Sequence, residues 1–152
     1  MKKTILLILA IFSLSFTMAQ NAKNEKPDAI VGTYSLNHGG FQSKVRVYKM
    51  KNGTYNAQCI WLKDSIDPKT NKLRTDEKNP DKSLRNVPSN RAIIINGLKY
   101  NAEKKCWDGA KIYDPTRGIK ANCFAEFAPD GRLKVRGQLM GVGETIYWTL
   151  IK

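Results

Sequence analysis

Residues 133–139 have the sequence Leu-Lys-Val-Arg-Gly-Gln-Leu, in which apolar or small side chains alternate with charged or polar ones. A period of two puts the first set on one face of a β-strand and the second set on the other. One face of this strand is therefore expected to lie on a core and the other in water. The turn Pro129-Asp130-Gly131 separates it from another alternating stretch, residues 119–127.

Short strands of this kind recur from residue 29 onward. The pair Asn52-Gly53 predicts a hairpin, and residues 114–118 predict a five-residue hairpin loop. The pair Asn96-Gly97 predicts a turn between two further short strands. Eight or nine strands and no convincing helix indicate a sandwich or an up-and-down barrel, and closure into a barrel removes exposed edges. We therefore expect an all-β fold, a single antiparallel barrel of about eight strands.

Residues 63–90 differ from the rest of the chain because they are polar, contain three prolines and lack sustained alternation. Loops of this length in compact domains are usually lids or disordered insertions. The sequence therefore predicts one long polar loop.

The first nineteen residues predict a secretory signal peptide. Lys2 and Lys3 precede an apolar run over residues 5–16, and Thr17-Met18-Ala19 resembles a cleavage site. The run is shorter than a bilayer-spanning helix, and no later segment is longer, so no transmembrane segment is expected after cleavage. We expect residues 1–19 as signal peptide, 20–28 as flexible leader and 29–152 as one domain, located in the periplasm or outside the cell.

The chain is strongly basic, with 26 Lys and Arg against 13 Asp and Glu. Without the first nineteen residues it has 24 basic against 13 acidic side chains, a formal charge of +11. Such a charge favours anionic partners, and an exported protein meets envelope lipids and glycans first. Nucleic acid is not expected, because charge alone does not specify it. The charges are spread along the chain, which also fits a role in solubility alone.

The sequence predicts neither a metal site nor a catalytic centre. His38 is the single histidine and sits beside two glycines, and no CxxC motif is present. We therefore expect no cofactor and no enzymatic activity.

Three cysteines, Cys59, Cys106 and Cys123, allow at most one intramolecular disulfide, and any of three pairings is open. A bridge from Cys106 to Cys123 across adjacent strands is the candidate, although the predicted register does not place them opposite each other.

The predicted inner face mixes small residues with the aromatic residues Tyr34, Tyr55, Trp61 and Trp148, so the barrel could be filled or could leave a cavity. Arg85 could bind a ligand carboxylate or phosphate, or it could tie down the long loop. The candidate ligand-binding residues are Tyr34, Tyr55, Trp61, Arg85, Trp107, Tyr113 and Trp148.

The chain resembles the bacterial secreted family called domain of unknown function 2147. The resemblance rests on residues 107–115, Gly118, residues 133–137 and 147–149, with support from residues 30–32, 76–81, 84–86 and Pro88. It implies a lipocalin-like barrel in the bacterial envelope. Gly32-Thr33-Tyr34 also resembles the Gly-x-Trp of the first lipocalin strand, with tyrosine in place of tryptophan.

Two functional hypotheses follow. The first is a secreted or periplasmic lipocalin-like protein that binds a small apolar or amphipathic, anionic, lipid-like ligand. The alternative is a filled barrel that binds an envelope polymer or protein through its basic surface and the 63–90 loop.

Overall fold

The computed structural model describes residues 21–152, so the predicted signal peptide lies outside the described residues. Eight strands follow one another in antiparallel order, and the last pairs with the first through Tyr34–Leu150 and Ser35–Thr149. This closed up-and-down barrel confirms the predicted fold class. The strands are β1 Gly32–His38, β2 Phe41–Lys49, β3 Tyr55–Leu62, β4 Ile93–Asn101, β5 Cys106–Asp114, β6 Ile119–Phe127, β7 Leu133–Leu139 and β8 Val142–Leu150.

The alternating side chains of β7 have the predicted burial, with one face of the strand in the core. Leu133 and Val135 are buried, whereas the lysine and arginine between and after them are partly exposed. The other strands contribute inward residues in the same way, and together they form one continuous cluster. Its largest fully buried members are Trp107, Trp148, Tyr34, Tyr55, Ile30 and Leu98.

The predicted turn at Asn96-Gly97 is wrong, because β4 runs through it as one strand. Gly97 has φ +81°, and the register with β3 shifts at this point. The Oδ1 of Asn56, a buried side chain, accepts a hydrogen bond from Gly97 N at 2.9 Å. A positive φ suits a β-bulge as well as a turn, and here the bulge is formed.

Residues 21–30 close one end of the barrel. Instead of the predicted flexible leader, residues 21–28 enter two 3₁₀ turns, Ala22–Glu25 and Pro27–Ile30. Asn24 is 1% exposed, and its side chain is hydrogen-bonded to the backbone of Phe127 at the end of β6. We call residues 21–30 the plug.

The opposite end of the barrel carries the β1–β2, β5–β6 and β7–β8 turns and the long connection from β3 to β4. This connection contains two isolated bridges, Ile66–Leu73 and Thr75–Pro88, and the 3₁₀ turns Lys82–Leu84 and Ser89–Arg91. The predicted polar loop at 63–90 is therefore present, and it is ordered by its own backbone pairing. No helix in the described part of the chain is long and apolar enough to cross a membrane.

Candidate functional site

A cavity of about 1350 Å³ opens at the end of the barrel opposite the plug. Aliphatic side chains from all eight strands supply most of its barrel wall, and the segment from Asp64 to Lys78 borders its opening. Small-molecule sites are typically about 300–1,000 Å³ and mostly apolar, so this space could hold a lipid-sized molecule. The apolar wall includes Leu36, Val45, Leu62, Ile94, Ile112, Val135 and Ile146.

The mouth of the cavity carries charges of both signs. Its lining has four basic side chains, Lys72, Arg74, Lys78 and Arg117, and five acidic ones, Asp64, Asp67, Glu77, Asp114 and Glu144. The basic charge of the whole chain is therefore not concentrated here. Lys72 and Arg74 make no salt bridge or side-chain hydrogen bond with the residues that the structure describes.

A chain of polar contacts crosses the mouth. Arg117, in the β5–β6 loop, contacts Asp114 at 2.6 Å through Nε and Glu144 of β8 at 3.0 Å through Nη2. Glu144 also contacts His38 Nε2 of β1 at 3.1 Å. We call Asp114, Arg117, Glu144 and His38 the mouth bridge, because it connects the β5–β6 hairpin to β8 and β1.

Asp114 is the most perturbed carboxyl of this bridge. Burial alone would raise its pKa, but hydrogen bonds from Thr116 and Arg117 outweigh burial, and the pKa is lowered. The same contact with Asp114, followed by that with Glu144, raises the pKa of Arg117. Asp114 and Arg117 therefore remain ionised at neutral pH.

Trp148 lines the cavity and is 1% exposed. Its ring lies 6.0 Å from that of Tyr34, centroid to centroid. Its Nε1 is buried and has no hydrogen-bond partner among the described residues. A buried donor without an acceptor costs about 1–3 kcal/mol, so an acceptor that reached it would stabilise the site.

The long loop is fastened to the barrel by a buried polar cluster. Tyr113 of β5 donates a hydrogen bond to Asp76 Oδ1 at 2.6 Å, and Asn79 Nδ2 donates to Asp76 Oδ2 at 2.7 Å. Arg85 Nε donates to the carbonyl oxygen of Asn79 at 2.8 Å. Asp76, Asn79 and Tyr113 are all buried, so the loop has one defined position beside the mouth.

A close backbone approach fixes the loop a second time. Gly118 has φ +69°, and a Cβ built there would lie 2.4 Å from the carbonyl oxygen of Lys78. Lys78 Nζ donates a hydrogen bond to Thr116 O at 2.7 Å. Only glycine permits both this backbone conformation and this contact.

A family model described as "Uncharacterized protein conserved in bacteria (DUF2147)" matches residues 32–150. The chain belongs to the DUF2147 family. The matched region runs from the first residue of β1 to the last of β8, and it includes the whole cavity wall. This confirms the family resemblance seen in the sequence.

The DUF2147 barrel is also similar to a solved structure from Helicobacter pylori whose protein is described as belonging to the lipocalin family. The TM-score is 0.61, with 21% identity over 80% of this chain and 82% of the other. At this identity the likeness shows the lipocalin-like fold alone. No curated protein matches the chain.

Three of the seven candidate ligand residues lie at the closed end of the DUF2147 barrel. Tyr34 Oη donates to Ile30 O at 2.8 Å, and Tyr55 Oη donates to Asp28 Oδ1 at 2.5 Å. Trp107 Nε1 donates to Pro27 O at 3.0 Å. These side chains hold the plug in place, and none of the three lines the cavity.

Of the remaining four candidates, Trp148 lines the cavity and Tyr113 borders it under the long loop. Arg85 does not line it and binds Asn79 within the loop. The prediction that Trp61 faces inward is wrong, because its side chain is 42% exposed. The register of β2 with β3 shifts here, so that Ile60 has no partner and Trp61 moves to the outer face.

The candidate disulfide between Cys106 and Cys123 is absent, and all three cysteines are buried free thiols. Cys123 lies opposite Ala110, four residues from Cys106 along β5. At roughly 3.3 Å per residue this separates the two by about 13 Å, beyond disulfide reach. Burial raises the pKa of Cys123 to about 12, so its thiol is protonated and poorly reactive.

Several lining residues were not singled out from the sequence. Leu36, Ile112, Ile146 and Val135 lie on the inner faces of strands, and the period-two pattern would have identified them once the barrel was known to be hollow. The charged residues of the mouth have no such signal. Among the described residues, no three His, Cys, Asp or Glu side chains form a cluster suited to a metal ion.

Proposed function

We propose that this protein binds a small apolar or amphipathic anionic molecule in the cavity, as a carrier exported to the periplasm or beyond the cell. The observation that supports this most strongly is a cavity of about 1350 Å³ that is open at one end and closed by the plug at the other. A predominantly aliphatic wall gains free energy by covering an apolar ligand, at about 25 cal/mol per Å² removed from water.

The polar groups of the cavity suggest how such a ligand would be oriented. Lys72 and Arg74 border the mouth without carboxylate partners, so either can receive an anionic head group. The deeper wall is aliphatic, where a charge would be costly to bury. An apolar chain would therefore enter first, and a ligand oxygen that reached Trp148 Nε1 would satisfy its donor.

The proposed role is binding without catalysis. His38, the single histidine of the chain, is paired with Glu144 at the rim. A His-dependent nucleophilic centre would need this side chain held beside a nucleophile.

Two fluorescent probes of matched shape test the proposal. N-phenyl-1-naphthylamine is neutral, and 8-anilino-1-naphthalenesulfonate carries a sulfonate on the same ring system. Both should bind the wild-type protein with a blue shift. Ala121→Phe places a large ring in the cavity and should weaken the binding of both probes by about tenfold or more, since it takes up the space available to a ligand.

Asn122→Phe is the matched control, because it places the same ring on the outer face of β6 and should leave both affinities unchanged. Lys72→Ala with Arg74→Ala should weaken the sulfonate probe about five- to tenfold and spare the neutral one. Equal effects of the two phenylalanine substitutions, or absence of binding by the wild-type protein, would refute a ligand cavity.

A further inference from the structure

The two halves of the barrel differ in charge. Residues 29–63, which contain β1 to β3, include five Lys and Arg and no Asp or Glu. β4 likewise has no acidic residue. Residues 106–152, which contain β5 to β8, have seven basic and five acidic side chains. The excess positive charge of the barrel therefore lies on its β1–β4 side.

On this side, Lys44 and Arg46 alternate along β2 and point away from the core. Neither lies within salt-bridge distance of a carboxylate in the part of the chain that the structure describes. Their cross-strand partners on β3 are Trp61 and Gln58. Same-face residues along a strand are about 6.8 Å apart, so the two cations form a short row.

Trp61 gives this row an aromatic surface. The β-bulge at Ile60 turns the indole outward, and Lys44 Nζ lies 5.4 Å from its ring centroid. Ile60 and Ile93, the latter adjacent to Gln58, are also exposed. Large aromatic side chains are usually buried, so an exposed tryptophan beside unpaired cations marks a surface for interaction.

We infer that this outer wall, formed by Lys44, Arg46, Gln58 and Trp61, binds an acidic polysaccharide. Carboxylate or sulfate groups would pair with Lys44 and Arg46, and a sugar ring would stack on the indole of Trp61. Gln58 Nε2 donates to Arg91 O at 3.0 Å, so its Oε1 would accept a hydrogen bond from a sugar hydroxyl. A linear chain can follow a convex barrel wall, whereas a flat bilayer touches it over a narrow strip. The site is separate from the cavity and does not depend on the proposed ligand.

Binding of polygalacturonate, measured by calorimetry at low and moderate salt with neutral dextran as the reference polymer, tests this inference. Lys44→Glu with Arg46→Glu should weaken binding about tenfold or more, because both anion contacts become repulsive. Lys69→Glu with Lys82→Glu makes the same change of charge on the exposed long loop, and it should change binding less than about twofold if the wall is the site.

Trp61→Ala should weaken polygalacturonate about fivefold at constant charge, and Trp61→Phe should restore most of the affinity, since the contribution is stacking. All of these residues are exposed or half-exposed, so thermal denaturation should show folded variants. Equal losses in the two charge-reversal variants would overturn the inference in favour of diffuse attraction. Tighter binding of duplex DNA or of anionic phospholipid vesicles than of polygalacturonate would overturn the choice of partner.

Discussion

Two hydrogen bonds join the side chain of Asn24 to the backbone of Phe127, 103 residues away. Nδ2 donates to Phe127 O at 2.9 Å, and Oδ1 accepts from Phe127 N at 2.6 Å. The side-chain amide thus supplies the two hydrogen bonds that the backbone of a neighbouring strand would otherwise form with the end of β6. The backbone carbonyl of Asn24 accepts a third bond, from Tyr100 Oη at 2.7 Å. This one residue connects the plug to two strands.

Asn24→Ala should therefore destabilise the protein by about 2–4 kcal/mol, because a buried N–H and a buried C=O lose their partners. Asn24→Asp keeps the shape and the acceptor but loses the donor to the carbonyl of Phe127, so it should also lower the free energy of unfolding. Thermal and urea denaturation measure both. Lys26→Ala, an exposed substitution in the same segment, should change stability by less than about 0.5 kcal/mol. An Asn24→Ala variant as stable as this control would contradict the plug's role.

Gly118→Ala should loosen the long loop. The added methyl would collide with the carbonyl of Lys78 in a backbone conformation that already favours glycine, so we expect a loss of about 2 kcal/mol or more. Gly131→Ala is the matched control, because it has a similar φ of +85° and open space around it. It should cost only the strain, about 1 kcal/mol. Equal losses of stability in the two variants would show that the close contact between Gly118 and Lys78 does not contribute.

Tyr113→Phe should release the loop more than it unfolds the barrel. Asp76 Oδ1 would lose its donor while still buried, which costs about 1–3 kcal/mol. Hydrogen exchange and limited proteolysis at residues 63–80 should accelerate, with little change in the strands. Tyr48→Phe is the control, because the Tyr48 hydroxyl makes no hydrogen bond among the described residues. Unchanged exchange in the loop would show that the buried polar cluster around Asp76 does not fasten the loop.

The mouth bridge should weaken in acid. The pKa of Asp114 is lowered in the folded state, so its stabilisation is complete above the unfolded-state pKa of about 4 and disappears as pH falls through the folded value. Water screens the ion pair of Asp114 with Arg117, so we expect the pair to contribute no more than about 1 kcal/mol to the free energy of unfolding. Wild-type protein should melt at a higher temperature than Asp114→Asn at pH 6. The difference should begin to shrink below about pH 4 and vanish as pH falls through the folded-state pKa of Asp114. A difference that grows in acid would contradict this assignment.

The sequence was sufficient for the barrel because the signal is local. Alternation such as that of Leu133 and Val135 fixes which face is buried, and turn residues mark where each strand ends. The position of Trp61 was predicted wrongly because one unpaired residue, Ile60, switches every later side chain of β3 to the opposite face of the sheet. The bulge at Gly97 was predicted as a turn because glycine with a positive φ occurs in both turns and bulges.

The plug and the cavity could not be derived in the same way. Asn24 bonds to Phe127 across most of the chain, and no short pattern encodes such a pair. Tyr34, Tyr55 and Trp107 were expected at a ligand site, but aromatic residues on an inner face serve equally to anchor a plug. Whether a barrel stays hollow depends on the summed volume of all its inward side chains.

The most direct test of the central claim, that the cavity carries a small molecule, is native mass spectrometry of the protein purified from the producing cell, followed by denaturation and organic extraction. A carrier should have a mass above that of the bare chain, with one apolar or amphipathic compound released on unfolding and lost in Ala121→Phe. A protein at its bare mass that also fails to take up either naphthylamine probe would contradict this claim.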